Sequence, residues 1–243
     1  MSGHSHWKSI KRVKEAEDKK RGQIFSKLSR AISVATKEKG PNPEMNPKLR
    51  LAIEEARFFN VPKENIERAI KRGTGELKEA ALEEVLLEAY GPGNIALIIE
   101  GITDNKNRAL NEIKQILNQN QGKLVGEGSV RWLFERKGVI TITMTNNQIP
   151  MTKEELELKV IEVGADDIYW HNHVLDVYTK VEDLDGVKKS LESQGIKIES
   201  ASLDWAAKNY INLGEKDKEN CQKLFEALDE SDSVQEIYSN LKE

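Results

Sequence analysis

The chain of 243 residues holds one cysteine, four histidines and six prolines, and only 6% of its residues are aromatic. Each scarcity excludes something. A single thiol, Cys221, makes no internal disulfide, and its setting in KENCQKLFEAL reads as a helix packing position rather than an activated nucleophile. That usage fits a reducing cytoplasm. No stretch approaches the roughly 18–20 uninterrupted apolar residues that a membrane-crossing helix needs. The amino terminus has no apolar signal core, and Glu15, Glu17 and Asp18 argue against a mitochondrial presequence, so the segment is expected to be mature protein, cytoplasmic and without a membrane partner. Catalytic motifs are equally scarce. There is no Gly-x-Ser-x-Gly and no Cys/His dyad, and the glycines of GPGN and GEGS fit neither a phosphate-binding loop nor a dinucleotide fingerprint. No cofactor is expected. Zinc-finger, ribonucleoprotein and KH signatures are absent, so sequence-specific base readout is unsupported. There is no repeat of 20 to 50 residues and no low-complexity tract.

Charge is abundant, and unevenly placed. Residues 1–72 carry 18 Lys and Arg against 9 Asp and Glu, a balance of +9, and the remainder carries 19 against 32, a balance of −13, so the formal total of −4 conceals a polarised chain. A basic part facing a polyanion and an acidic part facing elsewhere follows, because neutralising phosphates with Lys and Arg drives non-specific nucleic-acid affinity.

Apolar periodicity divides the chain. QIFSKLSRAISVATK places Ile24, Phe25, Leu28, Ile32 and Ala35 on one helical stripe, with Lys27, Arg30 and Lys37 largely off it. After the break GPNPEMNP, Asn46-Pro47 reads as a cap and first helical position, and Leu49, Ile53 and Ala56 form the next stripe, with Arg50 and Arg57 on another face. Pro62 starts a third helix, with Ile66, Ala69 and Ile70 inward, Arg68, Lys71 and Arg72 near its end, and Gly73 as its stop. Beyond this all-helical unit, GPGN marks a hairpin between two strand-like runs, and a helix follows from NKNR to Gly122. A strand is expected from Val130 to Phe134 and another from Val139 to Met144, broken at Lys137-Gly138. From Val139 the order strand, helix, strand, strand, helix, strand is that of a complete βαββαβ ferredoxin-like unit. NYINL, KDKENCQKLFEALDE and VQEIYS then read as strand, helix and strand. The economical solution is that this tail returns to complete the earlier module, with the ferredoxin-like unit inserted.

Three stretches invite chemistry. GHSHWKSIKRVK joins Trp7 to Lys8, Lys11 and Arg12, whose spacing presents one positive edge. Trp7 serves there either as a cap on the helical core or as a platform for a base. If Met1 is removed, Ser2-Gly3-His4 is also an amino-terminal Cu(II) or Ni(II) chelator, a property of any third-position histidine. Glu15 and Glu17 lie four residues before Lys19 and Arg21, so part of the positive charge is paired within the helix, and Lys20 remains for phosphate. HNHVLD sets His171 and His173 near Asp166 and Asp167, which is either a metal-dependent hydrolase site or an ordinary turn. Asp104 or Asn105 in ITDNKNR is placed to cap a helix.

The ordered blocks GHSHWKSIKRVK…DKKRGQIFSKL, NPKLRLAIEEAR, NVPKENIERAIKRGTG, EAYGPGNIALIIEGITDNKNR, GSVRWLFERKG and DSVQEIYSN resemble the successive signatures of the YebC/PmpR family, from residue 3 to about 240. His6 departs from the family opening GHSKW, so a phosphate contact from that position would depend on pH. The resemblance implies three domains, an amino-terminal helical one and two α/β ones, and no catalysis. It further implies a probable transcriptional regulator that binds DNA. Other members are translational activators of mitochondrial cytochrome c oxidase or are tied to the ribosome and to relief of stalling, which makes ribosomal RNA the alternative partner.

The expectation is therefore an α+β protein: an all-helical domain at 1–76, an α/β domain at 77–136 plus 205–243, and a ferredoxin-like domain at 137–204 inserted in it. It is a non-enzymatic nucleic-acid-binding regulator using Trp7, Lys8, Lys11, Arg12, Lys20, Arg21, Arg50, Arg57, Arg68, Lys71 and Arg72, with no metal. The sequence leaves monomer and weak dimer both open, and it assigns no role to His4.

Overall fold

A computed structural model describes residues 18–144 and 151–242, with side chains of the first helix from Arg21 onward. The helical region comprises α1 (Asp18–Lys39), α2 (Pro47–Phe58) and α3 (Lys63–Gly73). Leu28, Ile32 and Ala35 of α1 meet Leu49, Ile53 and Ala56 of α2 and Ile66 and Ala69 of α3 in one core, as the 3.6-residue periodicity requires. Asn46 fixes the turn between the first two helices. Its fully buried side chain accepts from the Leu49 N–H at 3.0 Å, capping α2 ahead of Pro47, and donates to Ala35 O at 2.7 Å and Gly40 O at 2.9 Å.

Gly73 does not stop α3 by taking a left-handed conformation. It is the last helical residue, and the positive φ of +82° belongs to Gly75. Gly73 is where α3 touches α1: a Cβ there would lie 2.6 Å from Thr36 Cβ and run into the Ser33 carbonyl, and nearby Ser33 Oγ donates to Ala69 O at 2.8 Å.

The first α/β region is built from β1 (Glu83–Tyr90), β2 (Ala96–Thr103), α4 (Lys106–Gln119) and β3 (Lys123–Val125), and it is completed near the end of the chain by α7 (Glu215–Asp229) and β8 (Val234–Ser239). The intervening elements are β4 (Phe134–Thr143), α5 (Lys153–Glu162), β5 (Asp167–His171), β6 (Val174–Thr179), α6 (Leu184–Ser193) and β7 (Ser200–Ala207). The first sheet has the order β3-β1-β2-β8 with every pairing antiparallel. Leu97 and Ile99 of β2 pack with Ile113 and Leu117 of α4, with Leu224, Phe225 and Leu228 of α7, and with Ile237 of β8. The second sheet has the order β5-β6-β4-β7, which is the ferredoxin-like arrangement expected of a βαββαβ chain. The fold class is thus α+β, a helical region followed by two four-stranded sheets, the second inserted in the first.

Local expectations fail where tertiary contacts decide. Lys123–Val125 forms a short strand that alternation did not reveal, while Arg131–Leu133 is a single 3₁₀ turn rather than strand. β4 runs through Lys137-Gly138 without a break. Gly138 pairs with Thr179, and its missing side chain admits α6, since a Cβ would lie 2.8 Å from Leu184 Cβ. NYINL is not a strand; Ile211 makes only an isolated bridge to Leu241. Two compact units result, one of residues 136–206 and another that runs to Glu135 and resumes at Ala207. The Lys208 N–H donates to Leu133 O at 2.9 Å, beside the points where the chain leaves and re-enters that larger unit. Among the described residues, no helix is long and apolar enough to cross a membrane.

The helical region is fastened to the first sheet by charged groups. Lys27, 4% exposed, donates to Asp229 Oδ1 at 2.6 Å and to Asp229 O at 2.8 Å. Arg30 reaches Asp232 O at 2.6 Å and Ile102 O at 3.3 Å, and Lys37 reaches Leu82 O at 3.1 Å. Beneath these, Val34, Leu82 and Ile102 bury one another.

Glu88 of β1 organises the loop that follows β3. The residue is 2% exposed; Oε1 accepts from the Gly128 N–H at 2.7 Å, and Oε2 accepts from Val130 at 2.7 Å and Arg131 at 2.9 Å. Burial opposes ionisation, but the three N–H groups outweigh it and hold the pKa below its ordinary 4.5. The glycines of GEGS thus shape an anion-binding turn whose anion is the protein's own carboxylate. Cys221, also buried, has its thiol pushed up to about 11 by burial and by nearby Asp217, which keeps it protonated and inert at neutral pH.

Two outcomes follow for stability. Gly73→Ala, which in an open helix would stabilise by about 1 kcal/mol, should instead destabilise by about 2 kcal/mol through overpacking of α1 against α3, read from urea denaturation; a stabilised variant would refute the close-approach role. Glu88→Leu should cost about 3 kcal/mol by orphaning three N–H groups. Since the folded pKa of Glu88 lies below the unfolded one, its contribution is complete above the unfolded value and disappears as pH falls through the folded value. The acid-side slope of stability against pH should therefore flatten in the variant.

Candidate nucleic-acid interface

Helices α2 and α3 point their cations away from the core for the reason that buries their apolar stripes. In α3, Ile66 and Ala69 face inward, which leaves Arg68, Lys71 and Arg72 on the outer side. They do not behave alike. Arg68 Nη2 lies 3.0 Å from Glu79 Oε1; Arg72 Nε lies 3.2 Å from Glu79 Oε2 without a well-aligned hydrogen bond, while its Nη2 donates to Ala80 O at 3.1 Å. One glutamate beyond the helix therefore holds two of the expected phosphate ligands. Lys71 is exposed and makes no side-chain interaction among the described residues.

In α2, Leu49, Ile53 and Ala56 are buried and Arg57 is exposed, again with no side-chain partner among the described residues. Arg50 turns back toward the preceding loop, its Nη1 at 3.4 Å from Pro43 O. Arg21 of α1 is exposed, with its guanidinium carbon 5.5 Å from the centre of the Phe25 ring. The expected contacts therefore divide into Arg21, Arg57 and Lys71, which face solvent, and Arg50, Arg68 and Arg72, which also hold parts of their own chain. Trp7, Lys8, Lys11 and Arg12, with His4 and His6, lie outside the described residues, as does the Lys20 side chain.

The suspected metal cluster does not assemble. His171 and Asp167 close opposite ends of β5, four residues and roughly 13 Å apart, and His171 Nε2 instead meets Asp176 Oδ2 of β6 at 3.1 Å. Asp166 pairs with Lys137 at 3.0 Å. Asn172 takes φ +55°, so Asn172-His173 is the tight turn between β5 and β6. Among the described residues, no group of three or more His, Cys, Asp and Glu side chains is placed to hold a metal ion. Asn105 accepts from the Arg108 N–H at 3.0 Å and caps α4, while Asp104 pairs with Arg108.

Sequence reading missed the Glu88 turn and what it displays. The loop presents Trp132, 65% exposed, with its indole N–H donated to Ser129 O at 3.0 Å. The available signal was a carboxylate in the apolar run EVLLEAY, a place where a strand tolerates charge only if it is hydrogen-bonded.

Comparison with known proteins covers almost the whole chain. Residues 5–76 match a model described as the TACO1/YebC protein N-terminal domain, and residues 82–241 match one described as the TACO1/YebC second and third domain. A "probable transcriptional regulatory protein" of Halothermothrix orenii is 46% identical over 241 residues, which is 99% of this chain and 94% of the relative. Another protein so described, from Caldanaerobacter subterraneus, is 45% identical over 242 residues, covering 100% and 98%. The crystal structure of a conserved hypothetical protein from Aquifex aeolicus superposes with a TM-score of 0.88 at 44% identity, covering 98% of this chain and 97% of that one. With two family models in sequence along the chain and relatives at this identity from end to end, the protein belongs to the TACO1/YebC family.

Proposed function

We propose that this protein is a non-enzymatic regulator of gene expression whose helical region, residues 1–76, binds the phosphate backbone of nucleic acid, with duplex DNA as the partner. The observation that carries the reading is the concentration of a +9 balance in residues 1–72 together with exposed Arg21, Arg57 and Lys71 that no acidic side chain neutralises among the described residues. Lys8, Lys11, Arg12 and Lys20 would extend this surface, and Trp7 would stack on or cap it. Arg50, Arg68 and Arg72 join it by exchanging an internal partner for a phosphate. The description of the relatives as probable transcriptional regulatory proteins supports a role in transcription. The acidic remainder, divided into 77–136 with 205–243 and the inserted 137–204, would orient the basic part or recruit partners in the cytoplasm.

Replacing Lys8, Lys11 and Arg12 together by Gln should weaken binding evenly across duplex sequences and reduce the slope of log affinity against log salt by about one for each phosphate that is no longer neutralised; an unchanged affinity and slope would overturn the assignment. Glu79→Gln releases Arg68 and Arg72 and should strengthen duplex binding by up to about fivefold at low salt, the range of an exposed ion pair, whereas weaker binding would mean that Glu79 places these arginines rather than competing for them. Crosslinking in cells followed by sequencing of the bound nucleic acid identifies the partner: promoter DNA supports transcription, and ribosomal RNA would replace it with translation.

A further inference from the structure

Large aromatic side chains are costly to leave in water, and the two other described tryptophans are covered by their own chain. Trp170 lies beneath Lys153, with Nζ 4.5 Å from the ring centre, and donates its N–H to Glu157 at 2.6 Å. Trp205 lies beneath Arg136 at 5.1 Å. Trp132 is different. At 65% exposure it has no cation over its ring among the described residues, yet it is held firmly. Its N–H is bonded to Ser129 O, its carbonyl accepts from Lys208 Nζ at 2.9 Å, the backbone before it is pinned to buried Glu88 through Gly128, Val130 and Arg131, and the Leu133 carbonyl after it accepts from the Lys208 N–H at 2.9 Å. A satisfied N–H leaves the indole with only its π-face to offer. Two cations flank it: exposed Lys208, and Arg131, whose ion pair with Glu127 is 3.2 Å long and has side chains 43% and 81% exposed, so a phosphate displaces it at little cost.

We propose that Trp132 is a stacking platform for an unpaired nucleobase, with Lys208 and Arg131 holding the adjoining phosphates, a second nucleic-acid site in the larger unit apart from the basic helices. A fixed aromatic face beside positive charge is the arrangement by which single strands are held without base-specific hydrogen bonds, and ordering the loop in advance removes the entropy cost of presenting the ring. The inference rests on the nucleic-acid reading above and adds a strand state to it: helical cations for the duplex backbone, Trp132 for exposed bases.

The test compares the full chain with Trp132→Ala and Trp132→Tyr, using labelled eight-nucleotide oligoriboadenylate, the matching oligodeoxyadenylate and a twenty-base-pair duplex, each titrated at several salt concentrations. Trp132→Ala should bind the single strands about tenfold more weakly, with an unchanged salt slope and unchanged duplex binding, and Trp132→Tyr should retain most of the affinity. Loss confined to the ribose or the deoxyribose arm supports the platform and names its source as RNA or DNA. Unchanged single-strand affinity in Trp132→Ala, or equal loss in Trp132→Tyr, overturns it. Wild-type protein that binds the duplex and neither single strand overturns the platform alone, and wild-type protein that binds none of the three overturns the nucleic-acid reading itself.

Discussion

The larger unit depends on the pairing of β2 with β8. β2 is the one strand of its sheet joined on one side to its hairpin partner and on the other to the end of the chain, and the Ala96 N–H donates to Asn240 Oδ1 across 144 positions of sequence. Loop-closure entropy grows only logarithmically with length, about 0.6 kcal/mol per doubling, so an entire folded module between β3 and α7 adds little to the cost of that closure. What the closure brings is the rest of a core: α7 lays Leu224, Phe225 and Leu228 against Leu97 and Ile99, and without the tail those β2 residues would keep only the cover of α4. The Lys27–Asp229 pair and the Arg30–Asp232 contact then attach the helical region to the same returning segment, at the end of α7 and the approach to β8. Helices, hairpin and tail are consequently one cooperative body.

The parts of this architecture that were legible in the sequence are those set by neighbours along the chain. The stripes of the three helices, the Asn46-Pro47 cap, the GPGN hairpin and the tail strand are all decided within a few residues. The return of the tail was inferred from counting unpaired strands, which works because an unpaired edge is costly wherever it lies. The Arg131–Leu133 turn was not legible, because a run such as SVRWLF has every local reason to be extended; three hydrogen bonds to a glutamate about forty positions upstream pull it out of line. Gly73 and Gly138 were both read as interruptions, since glycine in isolation signals flexibility, whereas each stands where a neighbouring element leaves no room for a Cβ.

The site divides in the same way. Residue types revealed a basic surface, and helical spacing placed Arg57 and Lys71 on its solvent side. Spacing cannot say which cations are already occupied. Arg68 and Arg72 are chemically indistinguishable from Arg57, and what separates them is one glutamate in the connection to β1. Lys27 was expected largely off the apolar stripe of its helix and is instead among the most enclosed cations described, since the surface that covers it arrives from the end of the chain. The formal charge of the helical region therefore overstates the charge it offers to a partner.

The hydrogen bond between Lys208 and Leu133 has a bearing on descent as well as on structure. The chain departs for the inserted module and comes back within the spacing of two adjacent strands, the distance a tight hairpin spans. A single recombination at that point could remove the whole module, or exchange it for another whose ends lie equally close, and leave the β1–β2–β8 framework uncut. The inserted part behaves as a cassette: its surface is free to diversify toward new partners at a pace of its own, while the helices and the sheet that carries them stay bound to each other's geometry.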